Sequence, residues 1–222
     1  MQAGPAPDDG VDDGADAAVV ALPPSPSAGL PPPPSAGLPP PPSPKLDPLL
    51  DAAAVCLAAR GPSKTTLSDI ARELGVAPST VSRKVGTVES AAWLLCAREA
   101  HRFFARLPEI VAPHDGARMV TAFMAAGIET ARADPVFAHI LQHEPDFVGR
   151  AVTRRMEAII EQVTTALAPV LSMAMDMGVI RRTDPEPLAH WVTRVALVCV
   201  LSPPPGDLHE ALDQILLPQL EP

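Results

Sequence analysis

The sequence predicts an all-α protein, on three observations. Hydrophobic residues make up 47% of the 222-residue chain, drawn mainly from Ala, Leu, Val and Ile, while aromatics are 3% and Tyr is absent. That is enough apolar material for a core, and Ala and Leu favour helix. Apolar positions recur at three- and four-residue spacing, and no stretch sustains the alternation of a strand. Helix stops and starts (Gly, Asp-Pro, Thr) fall between the periodic segments.

The elements follow in order. Residues 1–45 are low-complexity, with the octapeptide SAGLPPPP in tandem over 27–34 and 35–42. Such a segment has little to bury and is expected to be disordered with polyproline II character, either a passive tail or a docking site for a proline-binding partner. From Pro48, Leu49, Leu50, Ala53, Cys56 and Leu57 mark a first helix, which Gly61-Pro62 stops. Thr66 caps a second helix with Asp69 as its capping-box partner; Leu67, Ile70, Ala71 and Leu74 form its apolar face and Gly75 ends it. Pro78 opens a third helix to Val85, and Gly86 ends it. Thr87 caps a fourth, to about Arg106.

Further helices are expected over about 116–132, from Asp134-Pro135 to His143, and over about 147–177. On the last, Val148, Val152, Met156, Ile159, Ile160, Val163 and Leu167 share one side, Pro169 should introduce a kink, and Gly178 is the stop. Asp184-Pro185 opens another helix to about Leu201. After Pro203-Pro204-Pro205-Gly206, a final helix covers about 208–217.

Charge separates these regions. The formal net charge is −9, which alone argues against a polyanionic partner. Residues 1–44 carry five acidic groups and no basic one. Residues 107–222 carry eight basic against fifteen acidic. Residues 45–106 carry nine basic against six acidic, the one net-positive stretch. Distribution matters more than the total.

That stretch contains the most informative motif. Residues 66–85 read TLSDIARELGVAPSTVSRKV: a capped helix, a tight Gly75-Val76-Ala77 turn and a short polar helix. Ala71, Val76 and Val81 are expected to lock the two helices together, the arrangement of a helix-turn-helix. The third helix turns Val81 and Val85 inward and presents Ser79, Thr80, Ser82, Arg83 and Lys84. Short hydroxyls allow close approach to a major groove, and Arg or Lys reaches guanine edges or phosphates. The helix starts at Thr66 and Thr87 would offer backbone N–H groups to phosphate. The bland alternative is a helical hairpin with a solvated polar face.

With Thr65-Thr66, Ile70-Ala71 and Gly75-Val76 in register, residues 49–106 resemble the DNA-binding domain of TetR-type transcriptional regulators. More loosely, Asp134-Pro135, Glu144-Pro145, Gly178 to Arg181, and Asp184-Pro185 through Trp191 and Arg194 are similar to the regulatory domain of some members. The resemblance covers about 47–220. It implies an N-terminal three-helix helix-turn-helix domain (46–106) followed by an α-helical ligand-binding and dimerisation domain (107–222). Its DNA contacts would come from Thr65, Thr66, Ser79, Thr80, Ser82, Arg83, Lys84 and Thr87. Where the family usually has Tyr, then Phe, in the recognition helix and Lys near the start of the fourth, this chain has Ser82, Val85 and Val88. Its grip on phosphate would therefore rest on hydroxyls, helix starts, Arg83 and Lys84. Residues 75–83 also resemble a LacI-type recognition motif. That family places the motif at the extreme N-terminus before a large α/β domain, whereas here a helix precedes it and helices follow.

Other candidates carry less. His139 and His143 are four apart beside Glu144 and Asp146, a spacing that can hold metal but lacks a second ligand cluster, so no metal or cofactor is expected. Met119, Phe123, Met156 and Trp191 are candidates to line a pocket for a small apolar effector, or are plain core. Cys56, Cys96 and Cys199 are unclustered, unlike a disulfide framework, and suit a reducing cytoplasm. No basic, apolar leader opens the sequence, and 188–201 is too short to span a bilayer. No nucleophile elbow, phosphate loop or paired-carboxylate arrangement points to an enzyme. The expected protein is a cytoplasmic homodimeric regulator, with double-stranded DNA and a second copy as partners and, as the resemblance implies, the last two helices as interface. The rival expectation is a helical interaction protein that keeps the fold, has lost DNA reading and works through its Pro-rich tail.

Overall fold

A computed structural model describes residues 40–222; the tandem octapeptide lies largely outside the described residues. A 3₁₀ turn at Pro44–Leu46 leads into ten α-helices, and no strand occurs among the described residues. They are α1 (Asp47–Arg60), α2 (Leu67–Leu74), α3 (Pro78–Val85), α4 (Val88–Ala105), α5 (Leu107–Val111), α6 (Arg118–Ala133), α7 (Pro135–His143), α8 (Pro145–Asp176), α9 (Pro185–Leu201) and α10 (Leu208–Leu220). The boundaries follow local chemistry. Asp134, Asp184 and Asp207 each cap the next helix by accepting from a backbone N–H, of Phe137, Glu186 and Glu210 respectively. Gly75 closes α2 at φ 73°, ψ 32°, the left-handed conformation in which glycine carries no steric penalty.

The helices bury two apolar cores. In the first, Leu49, Leu50, Ala53 and Leu57 of α1 meet Ile70 and Ala71 of α2, Val81 and Val85 of α3, and Ala91 and Leu95 of α4. Each fully buried Leu, Ile or Val contributes about 1.5–3 kcal/mol. Val136 of α7 completes this core and Ile140 packs against it, so α7 reaches out of the second half of the chain onto α1. The second core gathers Phe104, Phe123, Ile128, Leu167, Leu171, Val192, Leu212 and Leu216 from α4, α6, α8, α9 and α10. The α8–α9 pair forms the most extensive helix contact. α8 is long and apolar enough to cross a membrane by length and composition, yet its stripe Leu167, Leu171 and Met175 is spent on this core.

Several expectations need correction. Val76 does not lock the turn; it is 37% exposed, and Ala71 and Val81 alone are buried there. α8 starts two residues earlier than the periodicity suggested; it carries Pro169 within it. The missing proline N–H frees only the carbonyl of Thr165, which lies on the exposed face, where water can satisfy it. Pro218 is carried inside α10 in the same way, past exposed Gln214. Of the stripe assigned to one side of α8, Val152 is 39% exposed; only the part from Ile160 onward is core. The short α5 was not expected, because five residues give no readable period.

Candidate nucleic-acid interface and the cavity behind it

The reading head is set by the α2–α3 pair. α3 turns Val81 and Val85 into the core, leaving Ser79, Ser82, Arg83 and Lys84 exposed and Thr80 half-buried on the outer side. Arg83 lies back along its own helix, its Nε 3.4 Å from the Ser79 carbonyl oxygen, a weak bond that a phosphate or guanine can replace. Lys84 has no partner among the described residues and is free to swing. Short hydroxyls beside two mobile cations on a rigidly seated helix make a surface suited to a groove wall.

The threonines behave differently from one another. Thr65 is buried, and its hydroxyl donates to the carbonyl oxygens of Gly61 (2.7 Å) and Cys56 (3.2 Å). Its expected role at DNA is therefore corrected: the side chain ties the α1–α2 loop to the end of α1. Thr66 is exposed but committed to a complete capping box. Its Oγ1 accepts from the Asp69 N–H at 3.1 Å, and its own N–H donates to Asp69 Oδ2 at 3.0 Å. The start of α2 is thus occupied by a carboxylate and is not an open phosphate grip. Thr87 caps α4 by accepting from the Ser90 N–H at 3.0 Å and remains exposed.

Asp69 organises this corner. The Thr66 hydroxyl, then the Arg60 guanidinium at 2.8 Å, hold its carboxyl well below the usual carboxylate range. Arg72 adds a third contact at 3.2 Å. Arg98, buried on α4, pairs with Asp51 at 2.8 Å and Asp47 at 3.4 Å, clamping α4 to α1.

One long-range contact beside the helix-turn-helix is not readable from sequence. Glu144, at the junction of α7 and α8, is buried and accepts from both the N–H and the hydroxyl of Ser63, in the loop just ahead of α2. Only Gly fits beside it: a Cβ on Gly61 would stand 2.3 Å from Glu144 Oε1. Sequence offered Glu144 as a possible metal neighbour of His139 and His143. Instead those two rings lie tilted against each other with centroids 4.8 Å apart, and the carboxylate bonds Ser63 in the loop ahead of α2. No group of three or more metal-ligating side chains occurs among the described residues.

Behind the head lies an apolar cavity of about 480 Å³ walled by α4, α6, α7, α8 and α9. Phe103, Phe104 and Phe123 form a cluster with centroids 4.8–5.9 Å apart at its side. A smaller cavity of about 250 Å³ adjoins it, and Phe123 and Leu167 line both. Of the four expected pocket residues, Phe123 lines both cavities and Met119 the smaller. Met156 and Trp191 line neither, which corrects that expectation. Met156 lies about two turns before Val163, where α8 first reaches the cavity. Trp191 is rotated by about 100° from Val192, which faces inward, and is 46% exposed. Cys96 is exposed and lines the larger cavity, with protein packed densely around it. Desolvation, helped by the charges of Asp134 and Glu99, pushes its thiol up to about 11, so it is a poor nucleophile at neutral pH.

Residues 49–84 match the family model described as bacterial regulatory proteins, TetR family. No match was found among the curated proteins. Solved structures share this helical fold over about four-fifths of the chain. The TetR family repressor AlkX from Dietzia sp. strain DQ12-45-1b superposes with a TM-score of 0.61 at 22% identity, covering 81% of this chain and 96% of that one. A TetR-family transcriptional regulator from Pectobacterium atrosepticum gives 0.57 at 16% identity, with 77% and 87% covered. The R. erythropolis transcriptional repressor QsdR gives 0.55 at 20% identity, with 79% and 95% covered. Residues 49–84 thus carry a TetR-family helix-turn-helix segment, and the described helices share the fold of these solved structures.

Proposed function

We propose that the chain is a ligand-responsive repressor that acts as a homodimer, each copy laying α3 in a major groove of a palindromic operator. The observation that carries the reading is α3 itself: Val81 and Val85 anchored in the core, with Ser79, Ser82, Arg83 and Lys84 presented outward. Half-sites would be separated by about one helical turn of DNA or a multiple of it. The exposed apolar residues Trp191, Val198 and Leu201 on α9, with Ile215 on α10, supply the surface for the second copy. The three on α9 are seven and three residues apart, on one face of the helix.

Response to a ligand would run through α7. Val136, Phe137 and Ile140 line the larger cavity, Val136 and Ile140 also pack on the first core, and Glu144 at the end of α7 holds the Ser63 loop. A ligand that widens the cavity would move α7, and with it the seat of α1 and α2. The energetics are a linkage between two states: ligand and DNA each favour one, and each weakens the other by the same factor. Nothing in this scheme asks the protein to catalyse a reaction. Selection of bound fragments from genomic DNA, followed by footprinting, tests the reading. Two protected half-sites with dyad symmetry are expected, and recovery of fragments with no common sequence would contradict it.

A further inference from the structure

The polar groups in the wall of the larger cavity are few, and all but one of the charged ones are paired. Glu99 accepts from Arg98 at 2.9 Å and from Arg102 at 3.0 Å. Asp134 is held by the Phe137 N–H at 2.8 Å, as the cap of α7. Arg102 is shared between Glu99 and, at 4.0 Å, Asp47. Arg106, at the exposed end of α4, has no ion pair or side-chain hydrogen bond among the described residues, yet it lines this cavity. Thr130, Cys96 and Thr193, whose buried hydroxyl has no hydrogen-bond partner among the described residues, also line it; the remainder is apolar, dominated by Phe103, Phe104, Phe123 and Ile128.

We infer that this cavity takes an amphiphile with a single anionic head and a flexible apolar tail, the head against Arg106 and the tail along the phenylalanine cluster. This rests on the reading of the cavity as an effector site and names the chemistry of its ligand. An exposed, unpaired guanidinium on the wall of a largely apolar chamber selects a carboxylate or phosphate monoester, because such a head gains charge-assisted bonds without being buried. An all-apolar ligand leaves that cation unused, and a cationic head meets it with repulsion. Size sets the tail. At about 30 Å³ per heavy atom, the share of a water molecule in the liquid, a cavity of about 480 Å³ holds roughly 16 such atoms. The smaller cavity beyond Phe123 and Leu167 gives a longer tail somewhere to go if those side chains turn aside.

The test is isothermal titration of the full chain, below critical micelle concentrations, with tetradecanoate, tetradecyl phosphate and tetradecanol. The anions should bind about tenfold or more tightly than the alcohol, the worth of one hydrogen bond to a charged group. The phosphate-to-carboxylate ratio then says which head is preferred. Arg106→Gln should abolish the preference while leaving the alcohol's affinity unchanged. Ala196→Phe, which fills the cavity from α9, should remove binding of all three; circular dichroism checks that it folds. Equal binding of acid and alcohol, an unchanged preference in Arg106→Gln, or full binding to folded Ala196→Phe would each overturn the inference. Release of DNA is scored separately. Tight, head-selective binding that leaves a DNA complex intact counts against the regulatory reading and not against the ligand assignment.

Discussion

Gly61→Ala should destabilise the protein by about 3 kcal/mol, and the structure says where that comes from. Gly61 sits at φ 74°, ψ 166°, a region open essentially to glycine alone, which costs another residue about 1–3 kcal/mol. Its new methyl would stand 2.3 Å from Glu144 Oε1, so the buried carboxylate must leave. That loses the bonds from the Ser63 N–H and hydroxyl, each about 1.5 kcal/mol or less because Ser63 is exposed and can rehydrate. For a chain of this size, about 3 kcal/mol lowers Tm by roughly 6–12 °C. Urea and thermal unfolding of Gly61→Ala, Glu144→Ala and the double variant provide the assay. The bonds lost are the same in both single variants, so the double variant should cost less than their sum by about 1 kcal/mol or more. Additivity within about 0.5 kcal/mol, or a Gly61→Ala cost below about 1 kcal/mol, would refute the claim that Glu144 is the clasp between the regulatory helices and the reading head.

Two further outcomes are expected. Asp69 has a folded pKa below its unfolded value of about 3.9, so its contribution is present above pH 4 and lost as pH falls through the acid range. Acid unfolding of the reading head, followed by circular dichroism, should lose part of its steepness below pH 4 in Asp69→Asn. Replacing Val198 and Ile215, which are 62% and 63% exposed, by Asp should leave Tm at low protein concentration little changed but convert a dimer to a monomer in sedimentation velocity. A monomeric wild type would remove that interface.

Much of the fold was legible because its boundaries are set by local chemistry. Thr66, Gly75, Pro78, Gly86 and Thr87 specify α2 and α3 through caps and turn conformations that need no tertiary information. The candidate site was legible in part for the same reason: Val81 and Val85 fix the inward face of α3, which leaves Ser79, Ser82, Arg83 and Lys84 outward. What sequence could not supply was long-range. Thr65 and Thr66 are neighbours of one type, but only the position of Cys56 and Gly61 decides that Thr65 is buried. The clasp between Glu144 and Ser63 spans 81 residues and has no period to betray it. The cavity wall depends on the rotation of α8 and α9 about their axes, so Met156 and Trp191 were assigned inward when the packing turns them away. A buried Gly61 beside a Pro was the one local hint that the α1–α2 loop approaches another part of the chain closely.

The central claim is that α3 reads DNA through Arg83 and Lys84, and its most direct test is the salt dependence of binding to DNA from the chain's own upstream region. Each phosphate contact removed lowers the slope of log K against log salt by roughly 0.9. Arg83→Ala together with Lys84→Ala should weaken binding and reduce that slope by about one to two, with the unfolding midpoint little changed since both side chains are exposed. An unchanged affinity and an unchanged slope in the folded double variant would contradict the account.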